Sequence, residues 1–456
     1  MDRNRCELLA TELDEYGAGV GSTGDLRVHV PELLPGERGL VQLQHRSPHR
    51  NEAWGTLLRL VGAPSRDRVP TACPAFGACG GCAWQHLSYP AQLEQKRQRV
   101  VHAFAAHAAT AQLLVPAVRP SPAVLGYRNK GKYVVGTDGE RVILGAFAPR
   151  THSIVATTGC QVVAPVIDEV AEWTRGAADA AALVPYSEAT HQGELRYVVI
   201  RANRLHDVLV ALVVTQQCPV AKLERVAAAL RNHPAIRTIV AVRNDRRDGA
   251  ILPLGAPTEV LFGDGTLSET LADAVIQLGA VEFLQVNLAQ ADAMYSYVAD
   301  CIEPAAGRRV VDLYAGLGGI SLHLAARGAD VTAIEVESAA IAALRQAATA
   351  AGRDIDARVG SAATVQRVTP LPDAIVVNPP RKGLDAATRA ALIALAPATL
   401  VYVSCGPQSL AADLVELLNA GYVVVSVQPF DLMPHTAQIE TVVCLQRSET
   451  TNGATL

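Results

Sequence analysis

From Arg309 onward the sequence alternates apolar runs with helical stretches, and no other feature constrains the fold as strongly. The apolar runs fall at Arg309 to Tyr314, Val331 to Val336, Ala374 to Asn378, Thr399 to Cys405 and Tyr422 to Val427. Strands separated by helices cannot pair as hairpins, so the pattern predicts a parallel, doubly wound α/β sheet. Such sheets bind ligands outside the C-terminal ends of their strands. The run Val401-Tyr402-Val403-Ser404-Cys405-Gly406-Pro407 delivers a cysteine to that edge. Alone, a cysteine there reads as a core residue, because free Cys is among the most buried residue types. The rest of the chain has to give it a task.

At 456 residues and 50% hydrophobic, the chain has room for about three domains. Residues 1–62 set short apolar runs among closely spaced glycines, which predicts a small OB-like β-barrel. Residues 63–280 mix strands and helices in an α+β central domain with no legible catalytic motif. A helix is predicted over 89–108, with the C-terminal domain as one surface it could pack on. Residues 281–456 hold the doubly wound sheet, preceded by Phe283-Leu284-Gln285-Val286-Asn287.

Only 18% of residues are charged and the net charge is -4, so no protein-wide attraction to nucleic acid is expected. RNA contact would fall to local basic patches at Lys96-Arg97-Gln98-Arg99, Arg128-Asn129-Lys130-Gly131-Lys132 and Arg243-Asn244-Asp245-Arg246-Arg247. Met1 to Gly17 lacks the basic and apolar regions of a signal peptide. The best membrane candidate, Ala390 to Cys405, is too short and is broken by Pro397. A cytoplasmic protein with no membrane partner is expected. Its nine cysteines then point to metal binding or catalysis rather than disulfides.

Three of these cysteines stand in Cys73-Pro74-Ala75-Phe76-Gly77-Ala78-Cys79-Gly80-Gly81-Cys82. The glycines allow a tight loop whose thiolates converge on one metal. Cys160, after a strand-like run, is the candidate fourth ligand. Zinc and an iron–sulfur cluster both accept four thiolates, and spacing does not choose between them.

The first strand of the sheet ends in Asp312-Leu313-Tyr314-Ala315-Gly316-Leu317-Gly318-Gly319, whose glycines let the backbone approach a ligand. A dinucleotide fingerprint would need glycine where Ser321 stands. Glu335 closes the second strand, where a carboxylate can grip ribose hydroxyls. The combination looks like a class I S-adenosylmethionine methyltransferase. The fourth strand runs into Asn378-Pro379-Pro380-Arg381-Lys382-Gly383, with Arg381 where amino-methyltransferases place an aromatic residue. A cysteine has work to do if the target is a pyrimidine carbon. Carbon-5 of uracil is too weak a nucleophile until a thiolate adds at carbon-6, and a base must afterwards take the carbon-5 proton. Glu440, in Met433-Pro434-His435-Thr436-Ala437-Gln438-Ile439-Glu440, is the candidate base.

With these motifs the chain resembles the RNA 5-methyluridine methyltransferases over nearly its whole length. The resemblance implies a TRAM-type barrel for RNA binding, Cys405 as nucleophile and Glu440 as general base. It implies that Gln285, Tyr314, Gly316, Gly319, Glu335 and Asn378 line the cofactor and uracil pocket. It also implies that Cys73, Cys79, Cys82 and Cys160 hold a structural [4Fe-4S] cluster. Asn378 stands where many relatives have aspartate, and Ser361 where an acidic or amide residue is common. The expected substrate is a uridine of 23S ribosomal RNA, flipped out of its stack, with the T-loop of transfer RNA as the alternative. A monomer is expected. A non-catalytic RNA-binding or assembly factor, and a redox protein built on the cysteines, are the readings from other classes.

Overall fold

The structure is a computed structural model that describes residues 4–248, 250–253 and 256–448. Met1 to Arg3, where the reading of the N-terminus begins, lie outside the described residues. The N-terminal unit is a six-stranded sheet, in the order Arg5–Leu9, Arg38–Arg46, Glu52–Leu60, Leu26–Val30, Gly19–Thr23, Glu12–Leu13. It curls until Gly19–Thr23 comes back against Arg5–Leu9, a closure that needs glycine: a Cβ at Gly21 would lie 2.2 Å from the Leu9 carbonyl oxygen. Leu8, Val28, Val30, Leu33 and Val41 fill the interior.

The central sheet has seven strands, with Leu195–Ala202 and Val208–Val214 buried along their whole length. Helices Pro165–Ala180 and Val220–Leu230 cover one face. The hairpin Leu267–Leu271 and Ala274–Leu278 leads into the C-terminal unit.

There, seven strands lie in the order Ile355–Val359, Asp330–Glu335, Arg309–Leu313, Ala374–Val377, Thr399–Ser404, Glu440–Arg447, Tyr422–Phe430. The first five are parallel, and Glu440–Arg447 runs antiparallel to its neighbours on both sides. Helices Leu288–Asp300, Gly319–Ala326 and Ser338–Ala350 pack on one face through Met294, Tyr295, Ile320 and Leu344. Helices Ala386–Leu395 and Pro407–Asn419 cover the other through Leu392, Leu410 and Leu414. Three of these starts are marked chemically: Asn287 and Asp385 cap their helices, and Pro407 opens its own.

The helix that follows the cysteine loop, Tyr89–Ala105, ends short of Ala108. Its Val100, Ala103 and Phe104 belong to the same core as Leu313 and Val377 of the C-terminal sheet. The central sheet reaches the C-terminal unit through Asn129, whose side chain donates to the Gln285 carbonyl at 3.1 Å and whose N–H donates to Val286 O at 2.9 Å.

Candidate active site

The two strands at the heart of the site run antiparallel, with Ser404 opposite Thr441. One step further along that register, Cys405 faces Glu440 across the open end of the pair. The segment Asn378–Gly383 comes over this end from the neighbouring strand. It is pinned by Ser409 Oγ donating to Arg381 O at 2.9 Å and by Leu384 N–H donating to Asp413 Oδ2 at 2.9 Å. Asp413 also takes the Tyr402 hydroxyl at 2.6 Å and Arg389 at 2.7 Å, so a buried carboxylate orders the whole turn. The Arg381 guanidinium thereby stands beside both Cys405 and Glu440 and donates to Gln438 Oε1 at 3.1 Å.

Burial pushes the Cys405 thiol up to about 11, and the nearby Glu440 charge adds to this, while Arg381 pulls the other way. Burial likewise pushes the Glu440 carboxyl up to about 8 against the same arginine. Near neutral pH both groups therefore hold their protons, and Arg381 is the neighbour that favours ionising either one. Sequence reading noted Arg381 only as the wrong residue for an aromatic stack.

The glycine turn lies at the same sheet edge. Gly318 has φ 83°, and a Cβ there would lie 2.3 Å from Leu344. Glu335 ties the second strand to this turn, accepting from Gly316 N–H at 3.0 Å with one oxygen and from Val336 and Glu337 N–H with the other. Ser321 donates to the fully buried Asp312 at 2.6 Å, which accounts for the serine where a dinucleotide turn has glycine. Burial raises Asp312 to about 7, and its other oxygen has no hydrogen-bond partner.

Tyr314 has φ 60°, and its hydroxyl goes to Asp385 at 3.2 Å and Thr388 at 3.4 Å, the cap of the next helix. Gln285 is buried behind the Asn129 strap, and Asn378 N–H donates to Leu313 O at 3.3 Å. A Cβ at Gly319 would lie 2.7 Å from the ring of Tyr295. Tyr295, which sequence reading missed, also lies close enough to Glu440 to feel its charge and so links the glycine turn to the carboxylate. Ser361 caps the short helix Ala362–Arg367.

Cys73, Cys79, Cys82 and Cys160 line one cavity of about 170 Å³ together with Phe76, Arg128 and Tyr133. All four are free thiols, and Cys79 and Cys160 both act electrostatically on Cys82. Among the described residues, no group of three or more His, Cys, Asp or Glu side chains is drawn together tightly enough to hold a metal ion. No helix among them is long and apolar enough to cross a membrane.

The basic patches serve largely as internal fastenings. Lys96 pairs with Asp431, Arg97 with Glu94, and Arg246 with Asp248, while Arg99 donates to Ala437 O. Arg243 donates to the carbonyls of Thr215, Gln216 and Cys218. Burial, then Arg201 and Lys132, lowers Lys130 to about 7.

A family model described as tRNA (Uracil-5-)-methyltransferase matches residues 371–448, and one described as Methyltransferase small domain matches 288–403. An uncharacterized RNA methyltransferase of Halalkalibacterium halodurans is 32% identical over 455 residues, with 96% of each chain covered. Another, from Thermosynechococcus vestitus, is 34% identical over 454 residues, covering 97% of this chain and 98% of its own. The solved structure of the Pyrococcus abyssi tRNA (uracil-54, C5)-methyltransferase in complex with S-adenosyl-L-homocysteine has the same fold. It gives a TM-score of 0.79 at 24% identity and covers 98% of this chain and 100% of that one. Full-length relatives, the family match over the strands that carry Cys405 and Glu440, and the fold agree: the chain belongs to the RNA uracil-5-methyltransferase family and works with S-adenosylmethionine.

Proposed function

We propose that this enzyme methylates carbon-5 of a specific uridine in 23S ribosomal RNA, with Cys405 as nucleophile and Glu440 as general base. The observation that supports these roles best is the facing of Cys405 and Glu440 with Arg381 beside both. The reactive form has Cys405 and Glu440 ionised beside Arg381, their protons released to solvent; Cys405 Sγ then bonds to carbon-6 of a flipped-out uracil as the carbon-5–carbon-6 double bond breaks and its electron pair moves to carbon-5. Bound S-adenosylmethionine supplies the electrophilic methyl group. Glu440 then takes the carbon-5 proton, the double bond re-forms, and the thiolate leaves.

Glu335 would hold the ribose hydroxyls of the cofactor. Gln285, Tyr314, Gly316, Gly319 and Asn378 would line the cofactor and uracil pocket. A structural [4Fe-4S] cluster would be held by Cys73, Cys79, Cys82 and Cys160, which line one cavity but would have to draw closer together than they stand here. The division into residues 1–62 as a TRAM-type RNA-binding barrel, 63–280 and 281–456 completes this reading, for a cytoplasmic monomer.

The curled N-terminal sheet joined to the cysteine loop favours ribosomal RNA. The likeness to the Pyrococcus abyssi tRNA (uracil-54, C5)-methyltransferase supports transfer RNA as the second reading. Nucleoside mass spectrometry of separated RNAs from a strain lacking this chain distinguishes them. Loss of 5-methyluridine from 23S RNA supports the first reading, and loss from transfer RNA alone supports the second.

A further inference from the structure

The connection Asp431–Ile439 leads from the edge strand Tyr422–Phe430 into Glu440, and it has no regular structure of its own. A helix more than three hundred residues earlier in sequence holds it almost residue by residue. Lys96 Nζ donates to Asp431 Oδ1 at 2.5 Å and to Met433 O at 2.9 Å, with neither charged side chain exposed to solvent. Met433 N–H returns to the same Asp431 oxygen at 3.0 Å. Gln92, also fully buried, accepts from His435 N–H at 2.8 Å and lies 3.2 Å from His435 Nδ1. Arg99 donates to Ala437 O. From outside the helix, the N–H groups of Ala83 and Trp84 both reach His435 O, and the Tyr127 hydroxyl donates to Pro434 O at 3.0 Å. His435 itself is held at φ 66°, in the left-handed region that residues other than glycine seldom adopt.

A buried ion pair is a poor source of stability, because desolvation offsets its attraction. It is a good source of fixed geometry. We infer that Lys96, together with Gln92 and Arg99, is a set of positioning residues for Glu440, placing its carboxylate for removal of the carbon-5 proton. The inference rests on the assignment of Glu440 as base. It divides the reaction in two. Bond formation between Cys405 Sγ and carbon-6, and methyl transfer to carbon-5, involve the Thr399–Ser404 strand end and the cofactor. Transfer of the carbon-5 proton to Glu440, with return of that electron pair to the ring and expulsion of the Cys405 thiolate, needs the clamped loop. A loosened clamp therefore leaves the methylated RNA bonded to Cys405.

The test uses the full-length enzyme with radiolabelled substrate RNA and S-adenosylmethionine. It follows covalent protein–RNA adduct on denaturing gels and proton release from carbon-5 in single turnover. Lys96→Met and Gln92→Leu are compared with wild type, with Glu440→Gln as the reference for a missing base. The expected result is slower proton release by about a hundredfold, the scale of a 1 Å misplacement, with adduct accumulating and with the first methyl transfer close to wild type. If Lys96→Met does not fold, Gln92→Leu and Arg99→Met decide. Folded variants that release the proton at the wild-type rate without adduct overturn the inference. So do variants that lose adduct and methyl transfer together, since the effect would then lie on Cys405. Absence of adduct in Glu440→Gln would instead count against the base assignment itself.

Discussion

Cys405 and Glu440 face each other across the open end of an antiparallel strand pair, one residue beyond the Ser404–Thr441 register; burial and the Glu440 charge raise the cost of ionising Cys405, and burial raises that of Glu440. Arg381 is the counterweight to both. The thiol is thus protonated in the resting enzyme, and Arg381 is the neighbour that favours its ionisation.

Removing Arg381 should therefore disturb both ionisations at once. Arg381 lowers Cys405 and Glu440 alike, so Arg381→Met raises both and moves the pH–rate profile towards alkaline pH. At pH 7 the loss in kcat/KM should be about 10- to 100-fold, the worth of a hydrogen bond to a charged group. A pH–rate profile of methyl transfer checks this, and an unmoved profile would count against the role given to Arg381.

Glu440 should cost the fold stability at high pH. Its ordinary value is 4.5 and burial raises it to about 8 in the folded chain. Between those values the folded chain keeps a proton that the unfolded chain has lost. Stability linked to this group is present below pH 4.5 and lost as pH rises through 8. Glu440→Gln should accordingly melt higher than wild type, with the margin widest above pH 8, while turnover is lost. Thermal melts across pH 5 to 9 test this, and a margin that does not grow with pH would contradict it.

Glu335 is spoken for by backbone N–H groups on both oxygens, so its orientation is set before any cofactor arrives. Glu335→Ala should weaken S-adenosylmethionine binding by about 10- to 100-fold through lost charged hydrogen bonds, with a smaller effect on kcat. Titration calorimetry with S-adenosyl-L-homocysteine reads the binding term directly. Unchanged affinity would remove Glu335 from the cofactor site.

Much of the sheet was legible because its strands are apolar and separated by helices, and Glu335 and Cys405 stand at strand ends as that pattern predicts. What stayed hidden depends on partners distant in sequence. Lys96, Arg97 and Arg99 read as a basic surface patch, yet Lys96 is sealed against a carboxylate 335 residues away. No local pattern announces such a pairing. Ser321 read as a departure from a glycine motif because its partner, Asp312, was counted only as part of that motif. Arg381 escaped notice as a functional group because its relation to Cys405 is made by two turns docking, not by spacing along the chain.

The central claim is that the methyl group goes to carbon-5 of uracil through a Cys405 adduct. Substrate RNA carrying tritium at carbon-5 of its uridines, incubated with S-adenosylmethionine, measures it in one vessel. The expected result is one tritium released to water for each methyl group transferred, with both abolished in Cys405→Ala. Methyl transfer without tritium release, or transfer that survives Cys405→Ala, would contradict it.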